Sequence, residues 1–152
     1  GTTRHKPSFP TRLSSDLTEN DETLCHLFFE CKYVKPVWQE LQTQVFSYFE
    51  TDIILNAEIV ILGITSDQIE IESIRTLCNF IIFNSIWCRW KHRNSIKYDG
   101  KQVSTTHELL ITIAKLCRAQ ADILFYQERT KKNDLEHKVN INNLLERFDA
   151  IL

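Results

Sequence analysis

The chain has no methionine, and only three glycines and three prolines in 152 residues. So few turn-forming residues exclude a β-sandwich or a doubly wound sheet, whose many tight connections draw on them. Three glycines also cannot build a phosphate-cradling loop. With no methionine and Gly1 at its head, the sequence reads as a piece of a longer protein. A strong charge imbalance is missing too. The formal net charge of -2 excludes a wholesale polybasic binder, so any nucleic-acid contact has to come from a local patch. The most apolar run, Leu77 to Trp90, is interrupted by Asn79, Asn84 and Arg89, and is too short and too polar to span a bilayer. No basic-then-apolar leader opens the chain, so no signal peptide is expected. Five cysteines (Cys25, Cys31, Cys78, Cys88 and Cys117) are an odd number scattered through apolar stretches, a pattern of reduced thiols rather than of a disulfide framework. The expectation is a soluble intracellular protein, nuclear or cytoplasmic, with no membrane partner.

Catalytic patterns are absent as well. His107-Glu108 begins a zinc-protease motif, but Ile111 stands where the second histidine is needed. There is no Gly-x-Ser-x-Gly elbow. Cys25 and His26 are neighbours in sequence, yet adjacent helical residues point about 100° apart, a poor arrangement for a nucleophile and its base. Tyr98-Asp99-Gly100 lacks the paired aspartates that would hold two metal ions. The chain by itself is expected not to be an enzyme.

What is present is a folding domain: 43% hydrophobic and 25% charged residues are ordinary for a packed protein. Residues 1–15 hold Arg4, Lys6 and Arg12, two prolines and no apolar period, the pattern of a flexible arm. Asp16, Glu19, Asp21, Glu22 and Glu30 suit the front of a helix, and Leu24, Leu27, Phe28 and Cys31 then mark one helical face. Pro36 fits the first turn of a second helix carrying Trp38, Leu41, Val45 and Tyr48. From Thr51 to Thr65 the period fails. The β-branched runs at Ile53–Leu55 and Ile59–Leu62, closed by Gly63, predict a packed connection or one short strand.

Asp67 with Glu70 looks like a capping box opening a long helix to about Lys97. Leu77, Phe80, Ile81, Phe83, Trp87 and Trp90 cover more than one of its sides, so it should be central and buried. Asp99-Gly100 is a turn signal. Thr105 with Glu108 opens a helix through Leu109, Ile113, Leu116, Cys117, Leu124 and Phe125. Asn133 with Glu136 opens a last one through Leu135, Val139, Leu144, Leu145 and Phe148. The reading is an all-α fold: an irregular bundle of about five helices around one long central helix, with one short strand or extended connection. The chain divides into the arm at 1–15, a helical segment at 16–65 and a helical bundle at 66–152, one domain overall.

Two features carry candidate chemistry. The run Trp87-Cys88-Arg89-Trp90-Lys91-His92-Arg93-Asn94 continues to Lys97 and Lys101, and Arg89, Arg93 and Lys97 recur four apart as a stripe on one face. Basic side chains beside tryptophans are what single-strand binders use, although basic residues in the last turns of a helix also simply complement its dipole. The second feature is His26 with Cys31. On an uninterrupted α-helix they lie about 140° apart, so they share a metal only if the helix bends or ends between them. Otherwise Cys31 belongs to the apolar stripe of Leu24 and Leu27.

The stretch Glu22-Thr23-Leu24-Cys25-His26-Leu27-Phe28-Phe29-Glu30-Cys31, followed by Trp38, resembles the zinc-binding region downstream of the reverse transcriptase in non-LTR (LINE-type) retrotransposon proteins. That family runs Cys-x2-Cys, a short acidic stretch ending in Glu-Thr, His-Leu-Phe-x2-Cys and a later tryptophan. Trp90-Lys91-His92-Arg93-Asn94 is similar to its next landmark, Trp-x-x-Arg-Asn. Where the family has its first two cysteines, this chain has Thr11 and Ser14, and neither hydroxyl replaces a zinc thiolate. Only His26 and Cys31 match as metal ligands. With two of the four missing, the fold is expected without a cofactor.

The resemblance implies a non-catalytic C-terminal accessory module of a retrotransposon reverse transcriptase, the polymerase lying upstream in the same polyprotein. Its role would be to help hold template RNA or target DNA. Arg89, Trp90, Lys91, Arg93 and Lys97 are the expected nucleic-acid-binding residues. The alternatives are a helical protein-interaction module without nucleic-acid affinity, or a decayed retroelement fragment.

Overall fold

The computed structural model describes residues 23–49, 51–124 and 135–151. Among these the elements are a π-helical turn at His26–Glu30, α1 at Lys35–Gln44, a 3-10 turn at Phe46–Phe49, α2 at Ala57–Leu62, α3 at Glu72–Asp99, α4 at Thr106–Leu124 and α5 at Leu135–Ile151. No strand forms among the described residues, and the fold is all-α with one long central helix. The expected arm, the acidic stretch Asp16 to Glu22, Thr11, Ser14, Phe125 and the Asn133 cap lie outside the described residues.

The 28-residue α3 is the spine. The helices α4 and α5 pack on it and on each other, α1 lies against α4, and the π-turn rests on α1, α2 and α3. One apolar core threads these elements, including Cys31, Trp38, Phe46, Val60, Leu77, Ile81, Ile113, Cys117, Leu144 and Phe148. Leu110, Ile113, Cys117 and Ala121 of α4 and Leu144 and Phe148 of α5 are buried in that core, while Ile123 of α4 is exposed.

Helix ends follow local chemistry where their signals are complete. The α4 capping box forms in full: the Glu108 N–H donates to Thr105 Oγ1 at 3.2 Å, and the Thr105 N–H donates to Glu108 Oε2 at 2.9 Å. At the other end of the preceding connection, α3 stops at Asp99 because Gly100 turns left-handed, with φ +64°.

The start of α3 differs from the expectation. Asp67 sits in a turn whose Gln68 and Ile69 N–H groups both reach Thr65 O, and the helix begins at Glu72 without a side-chain cap. Burial of Ile69 holds the intervening residues in place, as does Arg75, whose Nη1 donates to Ile69 O at 2.8 Å.

The stretch 51–65 is neither a bare connection nor a strand. It contains α2, capped by Asn56, whose Oδ1 accepts the Ile59 N–H at 2.9 Å. The extended backbone on either side is satisfied by side-chain amides instead of a neighbouring strand. Gln42 on α1 donates to Ile53 O at 3.0 Å and accepts from Leu55 N–H at 2.8 Å. Asn79 on α3 does the same for Ile64, donating at 3.0 Å and accepting at 2.7 Å. Gly63 (φ +84°) lets the chain pass close: a Cβ there would lie 3.3 Å from Asn79 Oδ1.

Candidate nucleic-acid interface

The His-Leu-Phe-x2-Cys segment is wound as a π-turn, in which the Cys31 N–H donates to His26 O at 2.8 Å. A hydrogen bond from residue i+5 to residue i widens the turn, and this changes the face. Leu27 and Cys31 are buried, but Leu24 is exposed rather than part of the stripe. The carbonyls left open at the end of the turn are taken by distant side chains. Trp38 Nε1 donates to Phe28 O at 2.6 Å, and Arg89 Nε donates to Leu27 O at 3.3 Å. Arg89 Nη2 also lies 3.5 Å from Cys31 Sγ.

His26 and Cys31 therefore stand at the two ends of one π-turn. Among the described residues no third histidine, cysteine or carboxylate joins them. The Cys31 sulfur is already engaged by a guanidinium, a cation where a dication would have to sit.

The basic stripe divides in two. Arg89 and Arg93 are 6% and 9% exposed, so they do not present a solvent-facing row. Arg89 fastens the π-turn to α3, and Arg93 lies over the Trp90 ring, 5.8 Å from its centroid. Trp90 is half-buried, its ring centroid 6.4 Å from that of Phe28. Lys91 and Lys97 are exposed, and Lys97 Nζ lies 5.4 Å from the Tyr98 ring centroid. Of the five expected contact residues, the structure thus leaves two lysines fully available, one tryptophan partly so, and two arginines turned into the fold.

His92, between them on α3, ties this region to the α4 entry. Its Nε2 accepts the Ser104 N–H at 2.9 Å, while Nδ1 is buried with no partner among the described residues. Burial first, then the charge of Arg89, lowers its pKa below the ordinary imidazole value, and Glu108 opposes them.

Two surface features were not singled out from the sequence. Phe83 and Trp87, expected in the core, are 57% and 53% exposed, and Tyr98 near the end of the same helix is exposed too. Between Glu72 and Asp99 the helix carries Arg75, Arg89, Lys91, Arg93 and Lys97 and no acid. The acid-free run was readable from the sequence by counting charges within the helix rather than over the chain. The aromatic exposure was not, because helical spacing marks a face without saying whether another element covers it.

No family model, curated protein or solved structure matches the chain. No helix among the described residues is long and apolar enough to cross a membrane.

Proposed function

We propose that this chain is a non-catalytic nucleic-acid-binding module, the C-terminal accessory part of a retrotransposon reverse transcriptase that helps hold template RNA or target DNA. The observation that carries the reading is the exposure of Lys91 and Lys97 on a helix with no acid from Ser73 through Tyr98. Both lysines are exposed, and neither is in an ion pair among the described residues. A phosphate backbone is the polyanion such a local patch attracts, even on a chain whose net charge is slightly negative. Arg89 and Arg93 act in this reading as positioning residues, Arg89 holding the π-turn against α3 and Arg93 packing over the Trp90 ring.

The test is binding of the chain to labelled RNA and DNA across a range of salt. Affinity should fall steeply with salt. The Lys91→Gln/Lys97→Gln pair should lower affinity and flatten the slope of log K against log salt by about 1–2, close to one per phosphate contact removed. No binding at low salt would sink the reading.

A further inference from the structure

We infer that the acid-free face of α3 is a stacking platform for an unpaired nucleic-acid strand, with Phe83 and Trp87 receiving the bases and Lys91 and Lys97 the phosphates. The inference rests on the nucleic-acid reading above and names the class of strand.

Phe83 and Trp87 are four residues apart and both are more than half exposed, so two large rings stand on neighbouring turns of one helix face. The rise between them is about 6 Å, close to the two steps of roughly 3.4 Å that separate a base from a ring on each side. Lys91 follows one turn beyond Trp87. Tyr98, with Lys97 beside its ring, returns to nearly the same face farther along the helix. From Phe83 to Tyr98 the helix covers about 22 Å, a length on the scale of a few nucleotides.

Rings at this exposure offer nothing to a duplex, whose bases are already stacked and hide their faces. They offer a unpaired strand one stacking surface per base, whatever the base. A protein partner or a second copy fits less well. Protein interface cores are depleted in lysine, whereas here Lys91 continues the aromatic row and no acid on α3 from Ser73 through Tyr98 answers it. Stacking and phosphate attraction do not read the sugar, so RNA and DNA strands should bind alike.

The test is fluorescence anisotropy of the whole chain with a labelled oligo(U), an oligo(dT) of the same length and a duplex of that length. Both single strands should bind at least tenfold tighter than the duplex. Phe83→Ala and Trp87→Ala should each weaken single-strand binding roughly 5- to 100-fold, while Trp87→Phe, which keeps a ring, should retain most of the affinity. Both positions are exposed, so circular dichroism should show unchanged helicity in all three variants. If the lysine pair matters but the two alanine variants bind as the parent does, the stacking platform is overturned and the phosphate reading survives. Equal or tighter duplex binding also overturns it. Self-association abolished by Phe83→Ala and Trp87→Ala, with no loss of strand binding, would assign the face to a second copy. No binding of any strand at low salt overturns both proposals together.

Discussion

His92 accepts the Ser104 N–H through Nε2, which it can do only while that nitrogen carries no proton. Burial and the nearby Arg89 charge depress its pKa in the folded chain, so the unfolded chain binds the proton more readily. Its contribution to stability is complete above the unfolded value of about 6.5 and is lost as pH falls through that value and then through the depressed folded one. Thermal melts from pH 7.5 to 5.5 should show Tm dropping with acid, and His92→Gln should flatten that slope. An equal slope in the variant would remove His92 from the account. The sequence marks Arg89, Arg93 and Lys97 as one candidate stripe, but it does not give their directions. Arg89 and Arg93 keep the four-residue spacing of a surface stripe, yet Arg89 answers acceptors 62 and 58 residues earlier in the chain. A helical wheel contains no information about such partners.

The π-turn shows the same limit in an element. Local spacing marked a helix with an apolar face, and the chain does coil there. The π-wound turn is held by donors from outside it, Trp38 to the Phe28 carbonyl and Arg89 to the Leu27 carbonyl. Arg89→Met keeps much of the side chain's length and removes the donors, leaving a buried carbonyl unpaired. It should cost about 2–3 kcal/mol in denaturant melts. Hydrogen exchange should localise the loss of protection to Leu27 and Cys31 while α4 and α5 stay protected. Uniform destabilisation without that local signature would contradict the stapling role. Elements with complete local chemistry were readable outright: the Thr105 and Glu108 box forms as written, and Gly100 ends α3. Asp67 misled because its neighbours close a turn on Thr65 and because Ile69 is drawn into the core.

Across the molecule, the all-α class followed from helical periodicity and scarce turn residues, and the core is one continuous body from the π-turn to α5. The exposed rings on α3 were hidden from the sequence because which helices cover the spine is a property of the assembled bundle. The free cysteines report on that assembly. Cys31, Cys78, Cys88 and Cys117 are buried, with burial pushing the Cys78 and Cys117 thiols up to about 12, and Cys25 is half-buried at the surface turn. A thiol reagent at neutral pH should label one site quickly and the other four only on unfolding. Two or more fast sites would mean the core opens more readily than its packing implies. The amide clamps of Gln42 and Asn79 have a consequence of another kind. The segments they close include β-branched runs whose open backbone edges would invite pairing with other chains, and two side chains on helices cap those edges as a neighbouring strand would. Glutamine and asparagine thus close two extended stretches of this helical protein, and aggregation should begin there when either amide is lost.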